Sequence, residues 1–228
     1  MKTNYAPSGP HLLEADGIRV AFAGRPILTD IYLRVQTGQI VGVLGRNGSG
    51  KSTLLQAVFG VQAVPDASVR VDGRRVVPAF QTPGLLNYLP QAPALPAALP
   101  LEKAARLLHV DTHAATANFP ELRPQLSCRL PELSGGSGRL LQALLLLHAP
   151  TAFSLFDEPF SGVMPLYVDA LAREMQLLKG RKGLLLTDHR YEAVLAVSDV
   201  VYLLHQGRLR QLVADPWPEL RDYGYVPA

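Results

Sequence analysis

The alternation of apolar and polar positions predicts strands in the N-terminal part of the chain. Residues 12–22 and 27–35 alternate or are rich in β-branched side chains, which is typical of strands with one buried face. Residues 40–44 form a short apolar run of the kind that is buried on both faces of a sheet. The turn residues Asp72-Gly73 predict a hairpin over 69–77. We therefore expect an N-terminal antiparallel β part that leads into a buried sheet.

The rest of the chain alternates between helical periodicity and short apolar runs. The expected helices are 52–59, 101–110, 138–148, 166–178 and 191–197, and the expected strands are 153–156, 184–187, 200–204 and 208–213. Helices that alternate with fully apolar strands are typical of parallel sheets covered on both faces. The pattern therefore predicts an α/β fold with a mainly parallel sheet.

A change in composition marks one segment as different from the rest. Prolines are frequent from residue 78 to residue 131, and proline removes a backbone donor and interrupts regular elements. We interpret residues 92–135 as a small helical subdomain. The core would then comprise 11–91 and 136–215, with 216–228 as a C-terminal tail.

Composition and charge narrow the class of protein. With 48% hydrophobic and 18% charged residues, the chain can bury a sizeable core, so disorder is excluded as its main state. A net charge of +3 is too small to indicate a nucleic-acid partner. The single cysteine, Cys128, excludes a disulfide framework and fits a reducing compartment.

Neither a secretory signal nor a membrane-spanning segment is expected. Residues 1–10 lack an apolar core, and the most apolar stretch, 140–156, is interrupted by Gln142, His148 and Pro150. A spanning helix needs about 20 predominantly apolar residues.

A glycine-rich loop follows the first buried strand and precedes a helix. Its residues fit the pattern G-x-x-x-x-G-K-[ST] in the structural context that the pattern requires. Glycines let backbone N–H groups point at phosphate oxygens, and the helix N-terminus adds the positive end of its dipole. We expect Lys51 to reach the β- and γ-phosphates and Ser52 to ligate Mg²⁺. The candidate nucleotide-binding residues are Gly45, Arg46, Asn47, Gly48, Ser49, Gly50, Lys51, Ser52 and Thr53.

Two adjacent carboxylates follow the apolar run 153–156. Asp157 is a candidate for holding the Mg²⁺ shell, and Glu158 is a candidate for polarising the water that attacks the γ-phosphate. An acidic pair after an apolar strand can also mark the start of a helix. The phosphate loop upstream favours the catalytic interpretation.

The segment Leu133-Ser134-Gly135-Gly136-Ser137 distinguishes between classes of phosphate-loop proteins. It resembles the signature motif of ATP-binding-cassette (ABC) proteins, with Ser137 in place of the usual glutamine, and its distance from Asp157 is the usual one. The resemblance implies an ATPase with a P-loop NTPase core, which binds ATP and Mg²⁺. It also implies that Ser134, Gly135 and Gly136 bind the γ-phosphate of a nucleotide held by a second cassette subunit.

The resemblance covers about residues 11–215 and implies further roles. Gln91 is similar to the glutamine that contacts Mg²⁺ and the attacking water, His189 to the histidine that contacts the γ-phosphate, and Phe22 to the aromatic residue that stacks on adenine. The partners would be a second cassette subunit, identical or different, and an integral membrane permease. The protein would lie in the cytoplasm, peripherally on the inner face of the cell membrane.

Two positions depart from the family pattern. Met164 stands where the family has an aspartate that joins the two nucleotide sites, and Ser137 is shorter than glutamine. Three alternatives to an active transporter ATPase remain: a catalytically weak regulatory cassette in a heterodimer, which Met164 favours, a soluble cassette ATPase of translation or DNA maintenance, and a small-molecule phosphotransferase. Residues 157–163 and 187–189 are most similar to the ATPases of lipopolysaccharide export and branched-chain amino acid import.

Overall fold

Strands and helices alternate along the part of the chain that the computed structural model describes, which is residues 9–64, 67–76, 78–213 and 215–226. The strands are β1 (Leu12–Phe22), β2 (Arg25–Gln36), β3 (Ile40–Leu44), β4 (Ser68–Val71), β5 (Arg74–Arg75), β6 (Leu86–Leu89), β7 (Phe153–Asp157), β8 (Gly183–Thr187), β9 (Val200–His205) and β10 (Arg208–Gln211). The helices are α1 (Lys51–Phe59), α2 (Leu101–Leu107), α3 (Thr112–Ala115), α4 (Gly135–His148), α5 (Pro165–Leu178), α6 (Tyr191–Val197) and α7 (Trp217–Asp222).

A four-stranded antiparallel sheet has the order β2-β1-β4-β5. Leu13 pairs with Val35 and Ala15 with Leu33, so alternate side chains of both strands face one core. The predicted hairpin is present as β4 and β5, while its expected last residue, Val77, lies outside the described residues. The predicted antiparallel β part is thereby confirmed.

A six-stranded sheet has the order β10-β9-β3-β8-β7-β6, and all its neighbouring strands are parallel except β10 with β9. Every residue of β3, β7 and β8 is buried, which explains why these strands are mostly apolar. The mainly parallel sheet is confirmed. Strand β6 was not predicted, because its four residues lie within the proline-rich region.

The buried strands separate two hydrophobic clusters. In β3, Ile40 and Leu44 pack in a cluster with α4, α5 and α6, while Val41 and Val43 face a cluster with α1 and the antiparallel sheet. Successive side chains of a strand point to opposite faces, so one short strand serves both cores. Strand β3 is therefore held by packing on both of its faces.

The segment 92–135 contains α2, α3 and short 3₁₀ helices at Pro120–Ser127 and Leu130–Glu132. Helix α2 ends at Leu107 rather than at the expected residue 110, and His109 adopts a φ of +55° just beyond it. The half-buried Cys128 lies here, and its main-chain oxygen accepts a hydrogen bond from the Leu101 N–H at 3.0 Å. The carbonyl of Cys128 thus joins the start of α2 to the end of the first of these 3₁₀ helices.

Helix α4 begins at Gly135, three residues before the expected start at 138. The Ser134 side chain accepts a hydrogen bond from the Ser137 N–H at 3.2 Å and so caps the helix. Two glycines therefore form the first turn of α4, against their low helix propensity.

The C-terminal residues pack onto the core. Helix α7 places Leu220 in the cluster that also contains α6, and Val226 follows it there. Within the described residues, no helix is long and apolar enough to span a membrane.

Candidate functional site

The carboxyl ends of adjacent parallel strands bring the predicted residues to one edge of the sheet. Strand β3 leads into the glycine-rich loop, β8 into His189, β7 into Glu158, and β6 into Gln91. Because β3, β8, β7 and β6 are neighbours in that order, four distant sequence segments meet at this edge. Clefts at the carboxyl ends of strands are the usual ligand sites of open α/β sheets.

The glycine-rich loop wraps around the Lys51 ammonium group. Lys51 Nζ donates hydrogen bonds to the main-chain oxygens of Gly45 at 2.7 Å and Arg46 at 3.2 Å. Gly50 has a φ of +102°, and a Cβ there would lie 2.9 Å from Ile27 Cγ2, so the loop requires glycine at this position. An ammonium has three donors, so one remains for a ligand.

Burial lowers the pKa of Lys51, while the nearby carboxylates of Glu158, Asp157 and Asp188 act in the opposite direction. These opposing charges favour the ammonium form. The loop therefore presents a cation with an unused donor.

A pocket of about 580 Å³ opens beside this loop. Its lining consists of Phe22, Ile27, Asn47, Gly48, Gly50, Lys51, Ser52, Thr53, Gln91 and Glu158. The Phe22 ring is 50% exposed at the end of β1, so one face is available for stacking. Of the predicted nucleotide-binding residues 45–53, Gly45, Arg46 and Ser49 do not contribute to this lining. The main-chain oxygens of Gly45 and Arg46 nevertheless bind Lys51.

Asp157 is buried at the end of β7, with 1% of its surface exposed. Its Oδ1 accepts a hydrogen bond from Thr187 Oγ1 at 2.7 Å, and its Oδ2 accepts one from Tyr88 Oη at 3.3 Å. Burial and the neighbouring Asp157 charge raise the pKa of Tyr88, so the phenol stays a donor. Asp157 is thus fixed by the two strands that flank β7.

Glu158 has a backbone φ of +54°, which is rare for a residue with a side chain. Its N–H donates to the Thr187 main-chain oxygen at 2.8 Å, which extends the β7–β8 ladder by one residue. The carboxylate, 17% exposed, contributes to the lining of the pocket. Strained backbone of this kind persists only where surrounding contacts hold it.

His189 lies beside Glu158 on the next loop. Its Nδ1 is 3.8 Å from Glu158 Oε2 and 3.5 Å from Asp188 Oδ1, and 48% of its side chain is exposed. The first distance is too long for a hydrogen bond. The imidazole and the carboxylate are therefore adjacent, and the imidazole can still turn toward a ligand.

Asp188 fixes the two loops that carry Glu158 and His189. Its carboxylate accepts hydrogen bonds from the N–H groups of Phe160 and Arg190, both at 3.0 Å. Asp188 is fully buried, so this contact is shielded from water. The sequence did not single out this role.

A second pocket of about 600 Å³ shares two residues with the first. It is lined by Gln91, Gly135, Gly136, Arg139, Glu158, Ser161 and Gly162. A Cβ at Gly136 would lie 2.6 Å from the main-chain oxygen of Gly162, so α4 approaches the loop after Glu158 as closely as only glycine permits. The signature glycines and Glu158 therefore face one space.

Arg139 is a residue of this region that the sequence analysis missed. Its guanidinium, buried with 8% of the residue exposed, donates to the main-chain oxygens of Pro90, Asp157 and Glu158. Burial lowers the pKa of Arg139, and the surrounding carboxylates oppose that shift. The available signal was a single arginine within the apolar sequence of α4. Such an arginine is expected to be buried, and a buried guanidinium needs several hydrogen-bond acceptors.

The oxygen-bearing residues fit a magnesium ion that is shared with a nucleotide. Ser52 and Gln91 line the first pocket, and Asp157 lies buried at the strand end next to Glu158. No group of three or more His, Cys, Asp and Glu that could hold a metal occurs in the part of the chain that the structure describes. Mg²⁺ characteristically binds through few protein oxygens, substrate phosphates and water, so this sparse set suits it.

These features define a phosphate-binding α/β ATPase, and comparisons with known proteins identify its family. A family profile described as "ABC transporter" matches residues 28–161. The chain belongs to the ABC transporter family, as an ATP-binding subunit of the kind that hydrolyses ATP to energise a membrane transporter.

Individual relatives agree with this assignment. The chain is 30% identical to an uncharacterized ABC transporter ATP-binding protein of Rhizobium meliloti (strain 1021), over 90% of this chain and 83% of the relative. It is 29% identical to the lipopolysaccharide export system ATP-binding protein LptB of Escherichia coli (strain K12), over 86% of this chain and 88% of the relative.

Solved structures share the fold. The structure of an ATP-binding subunit of an ABC transporter superposes with a TM-score of 0.77 at 25% identity, and 95% of each chain is covered. A bacterial Atm1-family ABC exporter with ATP bound superposes with a TM-score of 0.80 at 20% identity, over 98% of this chain and 43% of that chain. The predicted α/β class with a P-loop NTPase core is confirmed.

Proposed function

We propose that the chain binds ATP with Mg²⁺ in the pocket beside residues 45–53 and hydrolyses it with Glu158 as general base. The observation that carries this proposal is the placement of the Glu158 carboxylate in the same pocket as Lys51, with His189 Nδ1 at 3.8 Å. Lys51, Ser52 and Thr53 begin α1, whose N-terminus favours anions.

Each chemical role follows from a side chain at the carboxyl edge of the sheet. Lys51 would neutralise phosphate charge, Glu158 would accept the proton of the attacking water, and His189 would donate to the γ-phosphate region. Phe22 offers its exposed ring to the adenine. Bound Mg²⁺, held by Ser52, Gln91 and the Asp157 shell, would supply charge neutralisation between phosphates.

We also propose that two cassette subunits close around the nucleotides. Ser134, Gly135 and Gly136 would bind the γ-phosphate held by the partner cassette through N–H groups at the N-terminus of α4. The open space beside Gly135, where an added Cβ meets nothing within 4 Å, supports such an approach. This geometry is the same for a partner of identical sequence and for one of different sequence.

A further proposal concerns a membrane partner of the chain. We propose that residues 92–135 form a subdomain on a core of 11–91 and 136–215, and that this subdomain and the groove beside Gln91 bind an integral membrane permease. The protein would then lie peripherally on the inner face of the cell membrane. The relatives named as LptB belong to a lipopolysaccharide export system, which supports a transport complex with separate subunits.

Steady-state phosphate release and ATP binding, measured on the purified protein with and without its permease, test the proposal. Glu158→Gln should reduce kcat by at least about 100-fold while ATP binding is retained, because only the proton acceptor is lost. Glu14→Gln on β1 is the matched control, since Glu14 lines neither pocket and lies outside residues 92–135. Equal, negligible turnover in wild type and Glu158→Gln in the complex would contradict hydrolysis.

A catalytically weak regulatory cassette is the second candidate, and Met164 favours it. Met164 is 58% exposed at the start of α5, where the family pattern has an aspartate. If this candidate is correct, the chain alone turns over slowly, and a heteromer with a second cassette restores hydrolysis. Full turnover by the chain with its permease alone would exclude it.

A further inference from the structure

The C-terminal segment, residues 215–226, returns to the nucleotide site after α7. The Tyr225 ring packs edge-on against Tyr191, with ring centroids 6.2 Å apart and an interplanar angle of 76°. Tyr191 in turn packs edge-on against Trp217 at 6.0 Å. Edge-to-face contacts at these distances are favourable, so the segment is attached to the first residue of α6, which follows the His189 loop.

The Tyr225 hydroxyl reaches the first residue of the phosphate loop. Its Oη donates to the main-chain oxygen of Gly45 at 3.3 Å, across 180 positions of sequence. The same oxygen accepts the hydrogen bond from Lys51 Nζ at 2.7 Å. A carbonyl oxygen has two lone pairs, so both donors can be satisfied together.

The charge environment keeps the phenol protonated. Burial raises the pKa of Tyr225, and the negative charges of Asp188 and Glu158 raise it further, against the opposing effect of the hydrogen bond to Gly45. The hydroxyl is therefore a permanent donor near the site at neutral pH.

From this geometry we propose that Tyr225 is a positioning residue of the nucleotide site, which fixes the Gly45 carbonyl and thereby the orientation of Lys51. The inference rests on the proposed nucleotide binding at residues 45–53. Lys51 Nζ has two acceptors in the loop, and Gly45 O is the nearer one. A carbonyl that is free to rotate would hold the ammonium less well in the direction of the phosphates.

A purely structural role makes a different prediction from a positioning role. The Tyr225 ring could stabilise the fold through Tyr191 alone, and Tyr225→Phe would preserve that contact. Only the hydroxyl reaches Gly45. Tyr225→Phe therefore removes the positioning contact and leaves the packing contact intact.

Tyr223→Phe is the matched control. Tyr223 lies two residues earlier, and its Oη accepts a hydrogen bond from Arg210 Nη1 at 3.3 Å on the surface. Its ring packs on His205 rather than on Tyr191. The control removes one hydroxyl from the same segment without touching the phosphate loop.

The experiment measures the Kd for ATP and for ADP, the KM and kcat of hydrolysis, and the Tm without nucleotide, on the full chain. Tyr225→Phe should weaken nucleotide binding and raise KM by about threefold to tenfold, which corresponds to the loss of one neutral hydrogen bond. We expect kcat to change by less than about twofold and the nucleotide-free Tm to stay at the wild-type value. Tyr223→Phe should match wild type in every measurement.

Three results would overturn the inference. These are wild-type nucleotide affinity in Tyr225→Phe, an equal loss of affinity in Tyr223→Phe, and a loss of affinity in Tyr225→Phe that is accompanied by a lowered nucleotide-free Tm. A wild-type protein that binds no nucleotide would overturn the proposed function as well. Wild-type binding with an unaffected Tyr225→Phe would refute only the role of Tyr225.

Discussion

Arg139 donates from Nη2 to the main-chain oxygen of Glu158 at 3.2 Å. A residue in the second turn of the helix that begins at the signature segment (133–137) thus holds the backbone of the proposed general base. That backbone is strained, with a φ of +54°. Strain of this kind costs about 1–3 kcal/mol and needs compensating contacts. Arg139 also binds the Pro90 oxygen, next to Gln91, so three parts of the site depend on one guanidinium.

We predict that Arg139→Lys slows hydrolysis far more than it weakens ATP binding. An ammonium group cannot reproduce the planar fork of donors that contacts three carbonyls. Because Glu158 and Gln91 would then be less accurately positioned for the reaction, kcat should fall by about tenfold or more. The Kd for ATP should change by less than about threefold. Steady-state phosphate release and equilibrium binding measure the two quantities.

Arg173→Lys on α5 is the control for this substitution, since Arg173 is exposed. It should leave kcat and Kd at wild-type values. An Arg139→Lys protein with wild-type kcat would show that Glu158 keeps its position without the guanidinium.

We predict that Gly136→Ala destabilises the fold, whereas Gly138→Ala does not. An added Cβ at Gly136 would meet a backbone oxygen at 2.6 Å, and backbone cannot move aside like a flexible side chain. At Gly138 the nearest atom, Leu130 Cδ2, would lie at an ordinary contact distance of 3.6 Å. The free energy of unfolding should fall by about 1–3 kcal/mol in the first variant.

In Gly138→Ala the free energy of unfolding should stay constant or rise by up to about 1 kcal/mol, because alanine favours a helix more than glycine does. Urea unfolding of both variants gives the comparison. Equal stability of the two variants would mean that α4 and the Gly162 loop can separate at little cost.

We predict a pH-dependent contribution of Lys182 to stability. Lys182 is 4% exposed, and its Nζ donates to the Ala149 oxygen at 2.6 Å and to Ser154 Oγ at 3.1 Å. Burial lowers the pKa of this ammonium to about 7. In the unfolded chain a lysine keeps its proton up to a pH of about 10.4.

The direction of the effect follows from proton binding. Between pH 7 and about pH 10 the unfolded state binds more protons at this residue than the folded state does, so the free energy of unfolding rises with pH. Below pH 7 the ammonium is protonated in both states, so the full free-energy cost of burying its charge lowers the stability of the folded state. Lys182→Met should remove this rise, and Lys103→Met, at an exposed position of α2, should not.

Urea unfolding from pH 7.5 to pH 9.5, compared between wild type and the two variants, measures this contribution. This pH range lies above the titration of His148, because burial lowers the pKa of His148 despite its 2.9 Å contact with Glu174. Parallel curves for wild type and Lys182→Met would show that the ammonium stays charged in the folded protein.

We predict that Met164→Asp stabilises the protein whether or not it changes hydrolysis. Met164 is the N-cap of α5 and, among the described residues, gives this helix no side-chain hydrogen bond. Aspartate is a preferred N-cap, and the gain should be about 0.5–2 kcal/mol. Met164→Ala is the control and should bring no gain. A Tm equal to that of Met164→Ala would show that Pro165 and its neighbours hinder capping.

Sequence patterns predicted the parts of the site that are formed by residues close together in the sequence. The glycine-rich loop, the pair Asp157-Glu158 and the strands beneath them each follow from a short run of residues. Buried parallel strands are mostly apolar on both faces, so β3, β7 and β8 are readily recognised. Their carboxyl ends then determine where the loops meet.

Contacts between distant segments were not predictable in this way. The role of Arg139 depends on carbonyl groups from two strand ends, and that of Tyr225 depends on a carbonyl 180 positions away. The start of α4 was misplaced because Gly135 and Gly136 are poor helix formers, and the Ser134 cap outweighs that local preference.

The half-buried Cys128 allows the position of the helical segment (92–135) to be followed with a single label. The chain has one cysteine, so a thiol-reactive spin label placed there marks a single point, in the segment that ends at the signature motif. An assembly of two copies would carry two labels and one label-to-label distance. That distance, recorded with and without nucleotide, would report the proposed opening and closing of the cassettes without any engineered site.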